Sequence, residues 1–316
     1  MVTITMHLLS SLLLVLPVHV QAQQARCQWS SLRSATDLVL ESLAAGLTPS
    51  DNDGEAILSR PSLAYTQNFV PTPISSPESI LSSPLSVAHT HSIIDQDACA
   101  AFIKLVLSST STNQTQPAAA AVTAPLLLVA AQIHYLYTPS LGTTVTALDL
   151  VSVRQGDWKL DNGSSDALTA LAGAVQREDW SALSRDSQDA RAVLEGVARG
   201  YLDFLGGTTN ASVVAASGSA GGLEWGRPCA RLDGGVYVDV RPDESCVVGV
   251  DVGRGGEGVT ERRLVVDESI GAASVLARDG RLGGAPGVFE LRVVNGKLRY
   301  VQEFAATGPS GTRTGS

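Results

Sequence analysis

Arg292 and Arg299 stand on either side of Asn295-Gly296, with apolar and polar residues alternating before and after the dipeptide. Asn-Gly between two alternating runs is the strongest short signal for a two-residue hairpin turn. That turn pairs Val294 with Lys297, Val293 with Leu298 and Arg292 with Arg299, and continues as far as Phe289 with Gln302. Two guanidinia opposed across a strand pair repel each other unless an anion or a carboxylate lies over them. Two readings follow: a fork for the carboxylate or phosphate of a ligand, or an ion lattice completed by Glu290 and Glu303.

Asp267 and Glu268 end the β-branched run Arg263-Leu264-Val265-Val266. Neighbours on a strand face opposite ways, so the two cannot form a paired-carboxylate site. Asp267, on the side of Val265, is the candidate general base if that side faces a hollow where burial raises its pKa. The other reading makes it an ion-pair partner of Arg263 or Arg231. His89 and His91 have a metal-like spacing, but no third ligand follows nearby, so they read as surface histidines and no metal is expected. Gly253, Gly255 and Gly258 match a dinucleotide loop in spacing only. A strand-like run follows where that loop must open a helix, so no cofactor is expected. Gly218-Ser219-Ala220-Gly221 lacks the strand and helix of a nucleophile elbow, and no histidine follows His134 to serve its serine. Trp225 and Tyr65 each follow the first helix of one half and read either as pocket walls or as loop anchors.

The elements that must position these residues occur twice. Leu32, Ala35, Val39 and Leu43 keep a helical stripe, with Ser30 or Ser31 as cap and Gly46 as stop. Ala190, Val193, Leu194, Val197, Tyr201 and Phe204 or Leu205 form a second stripe, ended by Gly206-Gly207. Strand runs follow each helix: 126–137 and 144–153 in the first half, and 263–268, 289–294 and 297–304 in the second. His91-Ser92-Ile93-Ile94-Asp95-Gln96 lies over Arg263-Leu264-Val265-Val266-Asp267-Glu268, which indicates an internal duplication. The small-residue stretches 109–125 and 206–222 read as insertions, and the polar break 161–165 as the boundary. The expected organisation is a signal peptide over 1–22, a first domain over 23–165 and a second over 166–316.

The leader reading rests on an uncharged, apolar start closed by Val20-Gln21-Ala22 and interrupted by Pro17, too short for a membrane span. No stable membrane anchor is expected. Cys27, Cys99, Cys229 and Cys246 form an even set suited to an oxidising route. Of the three pairings available, Cys27 with Cys99 and Cys229 with Cys246 gives each half its own bridge. Asn113, Asn162 and Asn210 begin glycosylation acceptors. The net charge of −9 disfavours nucleic acid as a partner. The oligomeric state is left open.

Trp225-Gly226-Arg227-Pro228-Cys229-Ala230-Arg231-Leu232-Asp233-Gly234-Gly235, the run 263–268 and Gly296-Lys297-Leu298-Arg299-Tyr300-Val301 together resemble a secreted fungal family known as domain of unknown function 8021. Cys27, Tyr65-Thr66-Gln67-Asn68 and Gly156-Asp157-Trp158 extend the resemblance over most of the chain. The order of elements is similar to the SnoaL-like members of the nuclear transport factor 2-like fold. That resemblance implies an α+β protein of two tandem SnoaL-like cones, each a curved antiparallel sheet wrapped on N-terminal helices. Such cones host isomerases, cyclases, hydrolases and plain binding modules. The sequence departs from the family pattern at Gln67, where Glu is usual, and at Phe289 and Gln302, where His is frequent. The resulting expectation is a secreted glycoprotein that binds a small, partly apolar molecule in a cone. Asp267, Arg231, Arg292, Arg299, Trp225 and Tyr65 would serve the site, with isomerase- or cyclase-type acid-base chemistry open to it. The alternative is a non-catalytic extracellular structural or host-interaction protein.

Overall fold

The computed structural model describes residues 27–45, 58, 63–107, 126–138, 142–160, 173, 178–207, 219–220, 223–239, 246, 249–253 and 258–308. The leader at 1–22, the acceptors Asn113, Asn162 and Asn210, the boundary at 161–165 and Gly255 lie outside the described residues.

The first unit opens with α1 (Trp29–Ala45), which buries Leu32, Thr36, Val39 and Leu43 at helical spacing. Its sheet comprises β1 (Ala64–Gln67), β2 (Val70–Pro71), β3 (Val87–Asp95), β4 (Ala100–Leu107), β5 (Leu126–Thr138) and β6 (Gly142–Arg154), in the order β2-β1-β6-β5-β4-β3. The second unit repeats the plan. Its helix is α2 (Arg191–Leu205), and its strands are β7 (Ser219–Ala220), β8 (Leu223–Asp233), β9 (Val236–Asp239), β10 (Val259–Asp267), β11 (Ala272–Asp279), β12 (Ala285–Val294) and β13 (Lys297–Ala305). They run β10-β11-β12-β13-β8-β7, with β9 paired to β8. The meanders are antiparallel, but β1 joins β6 and β8 joins β13 in parallel. Each sheet is therefore mixed where an antiparallel one was expected. The strand after each helix returns to the last meander strand running the same way, and a parallel pair of this kind needs a crossover, which the meander supplies.

The similarity of the two units extends to single hydrogen bonds. The Trp29 N–H that opens α1 donates to Gln96 Oε1 at 3.1 Å, and the Arg191 N–H that opens α2 donates to Glu268 Oε1 at 2.6 Å. Each helix is thus capped by the turn residue of its own outer hairpin, which satisfies one of the N–H groups a helix start leaves open. Ser30 and Ser31, the expected caps, lie inside the first turn of α1. The same hairpin turns hold Cys99 at φ 50° and Gly271 at φ 57°. A Cβ at Gly271 would stand 2.3 Å from the Val293 carbonyl oxygen, so this copy of the turn requires glycine. Tyr135 N donates to the Cys99 carbonyl at 2.9 Å, and Val293 N to the Gly271 carbonyl at 2.8 Å.

Three apolar clusters follow from strand alternation. One lies between α1 and its sheet, and one between α2 and its sheet. The third joins the opposite faces of the two sheets, through Ile93, Phe102 and Val151 on one side and Val265, Leu276 and Phe304 on the other. At the edge of this seam the carboxylates of Asp95 and Asp267 are exchanged: Asp95 Oδ2 accepts Val266 N at 2.9 Å, and Asp267 Oδ2 accepts Ile94 N at 3.0 Å. Arg191 adds a bidentate bond to Asp95, at 2.6 and 2.9 Å.

Disulfides join Cys27 to Cys99 and Cys229 to Cys246, with Cα atoms 5.5 and 6.2 Å apart. The first ties the start of α1 to the β3–β4 turn. Among the described residues no helix is long and apolar enough to cross a membrane.

Candidate functional site

The structure disperses the residues that the sequence grouped. Asp267 faces the seam rather than a hollow, and its Oδ1 is taken by Ser269 N and Oγ at 2.9 and 2.5 Å. The reason is alternation: Asp267 shares a face with Val265, which packs against the other sheet. The hairpin register also differs. Arg292 opposes Tyr300, because an irregularity between Arg292 and Val293 leaves Arg299 outside the ladder. The two arginines therefore do not face each other. Arg292 donates to the Ser181 carbonyl at 2.9 Å, while Arg299 lies over Gly226, where a Cβ would stand 2.5 Å from its Nε. Glu290 and Glu303 point to opposite faces, so they cannot jointly bridge them.

Arg231 and Tyr65 are interior residues, and Trp225 is half-buried against the core of the second unit. Arg231, 1% exposed, donates to Asp233 Oδ1 at 2.6 Å and to the Cys246 carbonyl at 2.7 Å. The Glu303 carboxylate accepts from Tyr201 and, at 3.0 Å, from Arg281, which also forks onto Asp279. Trp225 meets the Tyr201 ring edge-on at 6.0 Å. This lattice occupies the inner face of the second unit beside α2. In the first unit, the Tyr65 hydroxyl donates to Gln67 Oε1 at 2.8 Å, and burial pushes its pKa up to about 12.

A different constellation lines a cleft of about 200 Å³ in the seam: His89, Thr90 and His91 of β3, Lys104 of β4, and Glu178 and Trp180 of the segment before α2. Lys104 occurs in the row Ala100, Phe102, Val106 that faces the other sheet, so its side chain enters an apolar layer. A cation placed there must be paired. Its Nζ donates to Glu290 Oε2 of β12 and Gln302 Oε1 of β13. Gln302 then donates from Nε2 to Glu178 Oε2 at 2.6 Å, and Trp180 Nε1 donates to the same oxygen at 2.9 Å. Glu178 Oε1 has no partner among the described residues. His91 Nε2 lies 3.0 Å from Glu290 Oε1, and its ring is 5.1 Å from Trp180.

The electrostatics divide the two carboxyls. Burial pushes Glu178 up to about 7, against bonds from Trp180 and Gln302 and the Lys104 charge. Burial opposes ionisation of Glu290 as well, but Lys104 and His91 together prevail and hold it at about 2. Burial, aided by Lys104, lowers His89. The cleft thus carries one firmly ionised carboxylate bound to a cation and one carboxyl near its midpoint at neutral pH, a combination suited to holding or moving a proton. Among the described residues no three His, Cys, Asp or Glu side chains group as a metal site.

The sequence expectation of surface histidines at His89 and His91 does not hold for His91, which is largely covered and contacts both Glu290 and Trp180. Lys104, Glu178, Trp180 and Glu290 were not grouped at all. One signal was present: a lysine within Ala100–Leu107, a strand otherwise wholly apolar. Gln302, which the sequence marks as a hairpin residue and a departure from a family pattern, is the link between Lys104 and Glu178.

Residues 187–305 match a family model described as Domain of unknown function (DUF8021), a span that runs from just before α2 to the end of β13. No curated protein matches the chain.

Proposed function

We propose that this is an exported small-molecule-binding protein whose guest lies in the seam cleft rather than within a cone. The observation that carries the reading is Glu178: a buried carboxyl, fixed through one oxygen by two donors, with its other oxygen unpartnered beside an indole wall. Concave sites of mixed apolar lining with a few convergent polar groups are where small ligands bind. The two disulfides support an oxidising, extracellular setting. The Glu178 carboxyl leaves proton-transfer chemistry of the isomerase type within reach of a bound guest. The ion lattice that fills the inner face of the second unit favours the other reading, a non-catalytic extracellular structural or host-interaction protein.

Native mass spectrometry of protein secreted by its host decides between them. A bound small molecule retained by the wild type and absent from Trp180→Ala is expected. Ligand-free spectra from both proteins, each folded, would favour the non-catalytic reading.

A further inference from the structure

We infer that the seam cleft takes a small organic cation, an ammonium group carried on a compact apolar body. This rests on the small-molecule reading above and assigns the class of guest. Glu178 and Trp180 both line the cleft; Glu178 is 5% exposed, and its buried Oε1 has no partner among the described residues. Trp180 commits its N–H to Glu178, so the surface left for a guest is the ring, which attracts cations through its negative face. Lys104 Nζ lies 5.9 Å from the Trp180 ring centroid, but Glu290 and Gln302 hold its ammonium, so it is a fixed, paired neighbour of the ring rather than a free charge. Lys104 and His91 are both drawn onto Glu290, so the acceptor that no described group of the cleft answers is Glu178 Oε1. An anion beside Glu178 would bring two like charges together, and like charges brought together across a site are costly.

Size and long-range field agree. A volume of about 200 Å³ is smaller than the sites of drug-sized ligands and fits a guest of a few heavy atoms. The chain's net charge of −9 draws cations toward its surface and repels anions. The groups that face Glu178 are Lys104 from β4, Glu290 from β12 and Gln302 from β13, with His89 and His91 across the cleft. Protonation of Glu178 removes the counter-charge, so cation affinity should fall as pH drops below neutrality.

The test uses the full chain and isothermal titration calorimetry with three probes: choline, its uncharged isostere 3,3-dimethyl-1-butanol, and butyrate. At pH 8, choline should bind at least about tenfold more tightly than the alcohol, the scale of one cation–aromatic contact combined with a carboxylate. The margin should narrow at pH 6. Glu178→Gln should abolish it at both pH values while leaving binding of the alcohol in place. Equal or tighter binding of the alcohol or of butyrate overturns the cation assignment and leaves the small-molecule reading standing. Failure of all three probes also overturns it, and the native mass spectrum then shows whether the cleft holds any guest.

Discussion

At the residue scale, the seam rests on a cation that an apolar strand would not tolerate alone. Lys104→Met leaves Glu290 buried without its ammonium, and breaking a buried pair from one side costs about 3–5 kcal/mol. The double variant Lys104→Met with Glu290→Leu removes both charges and should recover most of that loss. Urea denaturation of the two variants checks the order. The pH dependence has two limbs. Glu290 sits near 2 in the fold against an ordinary 4.5, so its contribution is present above about 4.5 and is lost as pH falls toward 2. Glu178 is raised to about 7, so its contribution is full below about 4.5 and is lost as pH rises through 7. Melting temperatures should therefore be highest in mildly acid solution. Glu178→Gln should flatten the alkaline limb alone, and Glu290→Gln the acid limb alone.

At the element scale, the helices and meander strands could be read from periodicity, and the register only in part. The Asn295-Gly296 turn forms as its residue types require, with Asn295 at φ 54° and Gly296 at φ 69°. The displaced Arg299 was not visible, because a bulge depends on what the strand packs against rather than on its own alternation. The caps show the same limit: α1 and α2 take theirs from Gln96 and Glu268, residues distant in sequence from the helices they close. Glu268→Ala should destabilise by about 1 kcal/mol, as helix-cap removals do, and exchange of the amides at the start of α2 should quicken. The candidate site was hidden for a related reason. Lys104, Glu178 and the Glu290–Gln302 pair of one hairpin are far apart in sequence, and only the packing of one sheet on the other brings them together.

At the scale of the whole molecule, two similar units share a third apolar layer, so their stabilities are coupled. Phe102→Ala or Phe304→Ala, each in that layer, should cost about 3–5 kcal/mol and lower the melting of both units as one transition. Two separate transitions in calorimetry would show that the seam contributes little. The exchanged aspartates have a further consequence. In an isologous homodimer, one substitution alters both symmetric contacts at once. Here the two similar units lie on a single chain and differ: Asp95 carries the added Arg191 fork, and Asp267 carries Ser269 instead. Asp95→Ala and Asp267→Ala thus weigh the two halves of a twofold contact independently, a measurement that no symmetric assembly of identical subunits permits.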